Sequence, residues 1–234
     1  NWRKKMLNIY IRKDLNMRKG KMAAQSAHAA MKLLIECMTP HENKLILNKL
    51  HESQLLDFLR NPYVNINYVE NESELKNTRY NVIPSSIIVD NGRTEFHVVP
   101  TTTCAASGIF KNSEINEIYV PQTYGTDIKA KQIFVYSKEN PLSKENAVKL
   151  STVSCLNIIY KLLTSNKDFK YIDLSVNNEL SAWLTGAFGK IAVSVKKDEE
   201  LEILKNNLIE NNIKVFEILY STKIHLDLAI FRLL

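Results

Sequence analysis

Lys5-Met6-Leu7-Asn8-Ile9-Tyr10-Ile11-Arg12 runs on through Lys13-Asp14-Leu15-Asn16-Met17-Arg18-Lys19-Gly20 into Lys21-Met22-Ala23-Ala24-Gln25-Ser26-Ala27-His28-Ala29-Ala30, and its hydrophobic period changes once along the way. Over the first eight residues Leu7, Ile9 and Ile11 alternate with Asn8, Tyr10 and Arg12, the period-two mark of a strand with one covered face. After the polar turn, Ala23, Ala27, Ala30, Met31 and Leu34 recur every three or four residues up to Pro40, which predicts a helix. A strand, a short turn and a long helix form the opening half of a βα unit, and that sets the fold class as α/β.

Downstream, residues 41–60 read as a second helical region, in one piece or two, with Leu47, Leu50, Leu55, Phe58 and Leu59 on its apolar face, broken at Asn61-Pro62. Val64, Ile66 and Tyr68 alternate, so residues 63–69 are predicted as a strand. Asn71 and Glu74 have the spacing of a reciprocal helix cap, and a short helix is expected there, with residues 76–84 irregular. Residues 86–89 form a β-branched run expected to be covered on both faces. The run ends in Asp90-Asn91-Gly92, a turn signal that makes residues 94–99 the expected return strand and residues 101–106 a final edge strand.

The same order then comes round again. Strands are expected at 131–137, 189–195 and 213–219, with one or two more at 224–234, and helices at 143–163, 178–184 and 197–212. Lys5-Met6-Leu7-Asn8-Ile9-Tyr10 lies against Lys131-Gln132-Ile133-Phe134-Val135-Tyr136, an offset of 126 positions (131 less 5). Met31-Lys32-Leu33-Leu34 lies against Tyr160-Lys161-Leu162-Leu163 at 129, which asks for a three-residue gap. Residues 64–75 return to an offset of 126 to 127 against 191–201. An internal duplication accounts for this order, with the polar stretch 112–129 as the boundary.

Composition is that of a globular protein: 234 residues, 45% hydrophobic and 24% charged. No apolar run is long enough to cross a bilayer, and no secretory signal opens the chain, which starts Asn1-Trp2-Arg3-Lys4-Lys5. Cys37, Cys104 and Cys155 lack metal-ligand or redox-motif spacing and read as three reduced thiols in a cytoplasmic protein, two of them on apolar helix faces. Thirty-one basic residues against 25 acidic ones give a net charge of +6 and a pI near 9.1, a modest lean towards a polyanionic partner.

Two clusters have chemical potential. Arg18-Lys19-Gly20-Lys21 sits where a strand turns into a helix, where free N–H groups favour an anion and a glycine lets it approach. On those four residues alone a solvated basic turn is the better reading. Lys21, Gln25 and His28 follow at spacings of four and three, one polar stripe on one helix face, although a lone histidine there is more often structural than catalytic. Asp90-Asn91-Gly92-Arg93-Thr94 is either an ordinary hairpin turn or a carboxylate placed at a strand end to orient a water beside Lys21, with Thr94 sharing the hydrogen bond. Spacing does not choose between these.

The stretch from Lys5 to Ala29 closely resembles the opening of type 2 peptidyl-tRNA hydrolases, and Asp90-Asn91-Gly92-Arg93-Thr94 resembles that family's second signature in the expected place. The likeness covers roughly residues 5 to 107, and the segment 95–103 departs from the family's usual Pro-Gly turn. It implies an α/β chain of two tandem type 2 peptidyl-tRNA hydrolase-like domains, each a mixed four-stranded sheet flanked by helices: residues 1–111 catalytic, 112–129 a linker, 130–234 a degenerate copy. It also implies hydrolysis of the ester joining a peptide to tRNA, with Lys21, Asp90 and Thr94 catalytic. Arg18, Lys19, Gly20, Gln25, His28 and Arg93 then bind the tRNA substrate, and no metal or cofactor takes part.

In the second half, Lys21, Gln25 and His28 correspond to Ala147, Ser151 and Ser154 at the 126 offset, and Ser221-Thr222-Lys223 stands where the second signature belongs. Since family members are commonly homodimers, the resemblance implies that this copy replaces a partner subunit in an intramolecular pseudo-dimer. The alternative expectation is a non-catalytic tRNA-binding or adaptor protein on the same fold.

Overall fold

The computed structural model describes residues 6–81, 85–90, 95–110, 129–175, 181, 183–184, 189–220 and 223–233. Strand β1 (Leu7–Arg12) leads into α1 (Lys19–Glu36), a short hairpin β2 (Thr39–His41) and β3 (Lys44–Leu47), then α2 (Lys49–Arg60), β4 (Val64–Val69), α3 (Glu72–Asn81), β5 (Ser85–Asp90) and β6 (Thr101–Gly108). The second half supplies β7 (Lys129–Ser137), α4 (Lys144–Leu162), β8 (Thr164–Ser165), β9 (Lys170–Asp173), β10 (Gly189–Val195), α5 (Asp198–Glu210), β11 (Val215–Tyr220) and β12 (Lys223–Leu233).

Two four-stranded mixed sheets result, ordered β4-β1-β6-β5 and β10-β7-β12-β11. In each, the opening strand is parallel to one neighbour (β1 to β4, β7 to β10) and antiparallel to the other (β1 to β6, β7 to β12). The fourth strand pairs antiparallel with the third in both. A third sheet, β2-β3-β9-β8, joins the hairpin of one half to that of the other through β3 and β9. Its register has a twofold character. Lys44 faces Asp173, Leu45 Ile172, Ile46 Tyr171 and Leu47 Lys170; at the 126 offset the mates of Asp173 and Lys170 are Leu47 and Lys44.

The helices meet in the same way. Lys19, first residue of α1, donates to the Leu142 carbonyl at 2.9 Å, and Lys144, first residue of α4, donates to the Met17 carbonyl at 2.9 Å. Ser151 Oγ of α4 reaches the Ala23 carbonyl of α1 at 3.0 Å. Alanine at positions 23, 27 and 30 lets these helices approach closely, and α1 is buried nearly all round because sheet and helix cover opposite sides of it. One apolar cluster runs through both halves, from Leu7, Ile9, Leu33 and Leu34 to Val148, Leu156, Ile159 and Trp183. Each such fully buried leucine contributes about 2 kcal/mol, so the two halves share one core.

Several expectations are revised. Residues 41–47 are a hairpin and not helix: Glu42 turns the chain at φ 52°, and Leu45 and Leu47 are buried on alternate positions of β3. The Leu47–Leu50 spacing that suggested a helix spans the Asn48 cap, whose side chain accepts from the His51 N–H at 2.8 Å. Helix α3 extends to Asn81, through part of the stretch expected to be irregular, with the Asn71 side chain accepting from the Glu74 N–H at 3.0 Å. Residues 95–100 form bends, with His97 and Val98 at φ 50° and 63°, and the return strand is β6. That strand is no edge: it lies between β1 and β5, and edge strand β5 leaves Val89 58% exposed. The C-caps Cys37 and Leu163 lie 126 positions apart, without the three-residue gap that the expected alignment asked for. The boundary expected at 112–129 lies outside the described residues except for Lys129, as do four of the seven residues of the helix expected at 178–184. The three cysteines are buried and none is in a disulfide, but Cys104 is in β6 and only Cys155 lies within a helix.

Two phenols tie the halves together. Tyr68 of β4 donates to Glu145 at 2.7 Å, and Tyr160 of α4 donates to Glu52 at 2.8 Å. Burial, then the bonded carboxylate, pushes each phenol up to about 12 from an ordinary 10. Burial pushes the Cys104 thiol up to about 12 from 9. Above pH 9 the unfolded chain releases protons that the folded chain retains, so stability falls as pH rises from 9 towards 12. Urea titrations across that window should show a falling midpoint in the wild type and a shallower fall in Tyr68→Phe/Tyr160→Phe; equal slopes would remove the two phenols as the cause.

Candidate active site

Because β5 runs the same way as β1 and β4, all three end at one edge of the first sheet, beside the N-terminus of α1. Such an edge is where open α/β sheets hold ligands. Asp90 closes β5 there. Its Oδ2 accepts from Lys21 Nζ at 2.8 Å and from Gln25 Nε2 at 2.9 Å. The pair is largely shielded, with side-chain exposures of 11% for Lys21 and 16% for Asp90, so their interaction is much less screened than that of a surface ion pair. Phe96 covers Lys21, its ring centroid 5.3 Å from the ammonium nitrogen.

A residue not singled out in the sequence completes this chain of contacts. Thr103 Oγ1 donates to Gln25 Oε1 at 2.8 Å. That fixes the amide with its NH2 turned to Asp90. Thr103 reaches α1 because the pairing of β5 with β6 slips between Ile88 and Val89: Ile88 faces Cys104 and Val89 faces Thr102, leaving Thr103 as the extra residue of a bulge. A bulge beside a site re-aims one side chain, and no alternation in Thr101-Thr102-Thr103-Cys104 announces it. Cys104 follows with a donated bond to the Gln25 carbonyl at 3.1 Å.

The other expected residues are distributed differently. Arg18 is 77% exposed and pairs with Glu95 at 2.7 Å on the rim. His28 is half-buried one turn beyond Gln25 on α1. Lys19 points away from Asp90: besides donating to Leu142, its ammonium lies 5.0 Å from the centre of the Tyr136 ring. Gly20 does not face open space for a phosphate, because a Cβ there would sit 3.5 Å from the Cβ and carbonyl oxygen of Ala192 on β10. Both placements have one cause. The first turn of α1 faces the second half of the chain, which the spacing of Arg18-Lys19-Gly20-Lys21 cannot reveal. Arg93 and Thr94 lie outside the described residues.

In the second half the corresponding two strands lie closer together along the chain. Tyr220 of β11 pairs directly with Lys223 of β12, with two residues between them, where ten residues separate β5 from β6. The second half therefore lacks the long connection as well as the polar residues of α1.

A shielded lysine–carboxylate pair, braced by an amide at the ends of parallel strands, defines a polar site suited to ester or phosphoester chemistry. A family model described as "Peptidyl-tRNA hydrolase PTH2" matches residues 5–120. A protein of Metallosphaera sedula named peptidyl-tRNA hydrolase is 36% identical over 113 residues, 47% of this chain and 91% of its own length. Proteins of the same name from Thermoplasma acidophilum (34% over 117 residues, 49% and 92%) and Methanococcus maripaludis (30% over 121 residues, 47% and 90%) match similarly. The chain belongs to the type 2 peptidyl-tRNA hydrolase family, and the matched region is its first half.

Proposed function

We propose that this chain hydrolyses the ester between a peptide and the 3′ ribose of tRNA, at a site of Lys21, Asp90 and Thr94 in its first half. The observation that carries the proposal is the buried contact of Lys21 and Gln25 with one oxygen of Asp90. Asp90 holds the attacking water, which adds to the ester carbonyl carbon; the bond to the ribose oxygen breaks, and that oxygen takes up the water's proton. Lys21 stabilises the negative charge that develops on oxygen during the addition. Thr94 keeps the water and the carboxylate in line, and Gln25, itself held by Thr103, keeps Asp90 from rotating. Arg18 and Arg93 meet the phosphates of the acceptor end, while Lys19 and Gly20 serve the junction between the halves.

We also propose that the second half is a degenerate copy of the same domain that takes the place of a partner subunit. The matching strand order, the twofold register of β3 with β9 and the reciprocal Lys19 and Lys144 bonds support this reading. The test is release of peptide from an N-blocked aminoacyl-tRNA by the full chain, with its mass in solution measured by sedimentation. Turnover by a monomer is the expected result. Lack of release would overturn the catalytic proposal, and a tight symmetric dimer would overturn the pseudo-dimer.

A further inference from the structure

A cleft of about 310 Å³ opens where the first half meets the second, along the same strand-end edge as Asp90. Its floor is made by Met17 and Met22, each at most 5% exposed, and Met22 follows Lys21 directly in α1. Tyr68, 43% exposed at the end of β4, forms a wall, its hydroxyl pinned to Glu145 of the second half. Lys13 stands at the rim, its largely exposed side chain in a surface ion pair with Glu70 at 3.3 Å that solvent screens. Lys144, from the second half, lines it too and donates to the Met17 carbonyl at 2.9 Å.

An aromatic face fixed in place, a thioether floor and two ammonium groups are complementary to a base with its phosphate. Bases of any identity stack on such a ring, and lysines meet the backbone. We propose that this cleft holds one nucleotide of the tRNA strand, its base against Tyr68 and its phosphate between Lys13 and Lys144, so that the second half supplies part of the substrate site. The proposal rests on the tRNA reading above. It gives the second half a role in substrate recognition in addition to its structural one.

Tyr68→Ala and Tyr68→Phe in the full chain separate stacking from the bond to Glu145. KM and kcat for N-blocked aminoacyl-tRNA are measured for each, together with the Kd of uncharged tRNA at fixed salt. Tyr68→Ala is expected to raise KM and Kd roughly tenfold, the size of one lost base–aromatic stack, with kcat within about twofold. Tyr68→Phe, which keeps the ring and loses the Glu145 bond, should stay within about twofold of wild type in all three. Unchanged Kd in Tyr68→Ala, or equal damage from both variants, would overturn the cleft assignment while leaving hydrolysis in place. If the wild type binds tRNA without hydrolysing it, the Kd values still decide the cleft and only the catalytic proposal falls.

Discussion

Lys21→Ala is expected to lower kcat for peptide release by about three orders of magnitude while KM changes severalfold at most. The ammonium lies 2.8 Å from Asp90 in a position only 11% exposed, and a preorganised charge beside the reacting atoms loses about 10²- to 10³-fold when removed. Asp90→Ala should cost at least as much, because it removes the water's hydrogen-bond acceptor and leaves Lys21 and Gln25 without their shared partner. The double variant should be little worse than either single one, since the two groups act as a unit. Single-turnover release of an N-blocked aminoacyl group measures this directly. Activity of Lys21→Ala within tenfold of wild type would remove the lysine from the mechanism.

Gly108→Ala should be among the most damaging single substitutions for stability. Gly108 ends β6 at φ 95°, and a Cβ there would come within 2.2 Å of the Met6 carbonyl oxygen and 3.3 Å of its carbonyl carbon. The same oxygen accepts the Ile109 N–H at 3.1 Å, so the start of β1 cannot move aside without losing that bond. Left-handed strain costs about 1–3 kcal/mol, and displacing the backbone adds to it, for a total of roughly 3–5 kcal/mol. In a chain of this size each kcal/mol lowers Tm by about 2–4 °C. A drop of about 10 °C by calorimetry is therefore expected, and a change below about 2 °C would show that β1 and β6 can shift apart there without cost.

How far the sequence could be read depended on the kind of signal each segment carries. β1, α1, β4, β7, α4, β10 and α5 were legible because one face of each is apolar at a single clear period. β6 was not. Its residues Thr101 to Gly108 are small and, from Thr102 to Ser107, buried on both sides, so no alternation marks them and the segment has the pattern of an edge. The hairpin at 39–47 failed because Leu47 and Leu50 fall at helical spacing across a cap. At the site, the family likeness selected Lys21 and Asp90, and the fold joins them. Thr103 depended on a bulge, which is a property of two strands in pairing and has no local signature. The places of Lys19 and Gly20 depended on residues more than 120 positions away, at Leu142 and Ala192.

The strip formed by β3 and β9 bears on how this chain can vary. In an assembly of two identical subunits, each substitution at a twofold contact appears twice, and every residue must suit its own symmetry mate. Here one end of the strip sets Lys44 opposite Asp173, while the related end sets Leu47 opposite Lys170. The same geometric place carries residues of opposite charge at one end and an apolar residue facing a cation at the other. A single codon change therefore alters one end and leaves the other as it was, and the two faces of the junction are free to diverge, a freedom that identical subunits do not have.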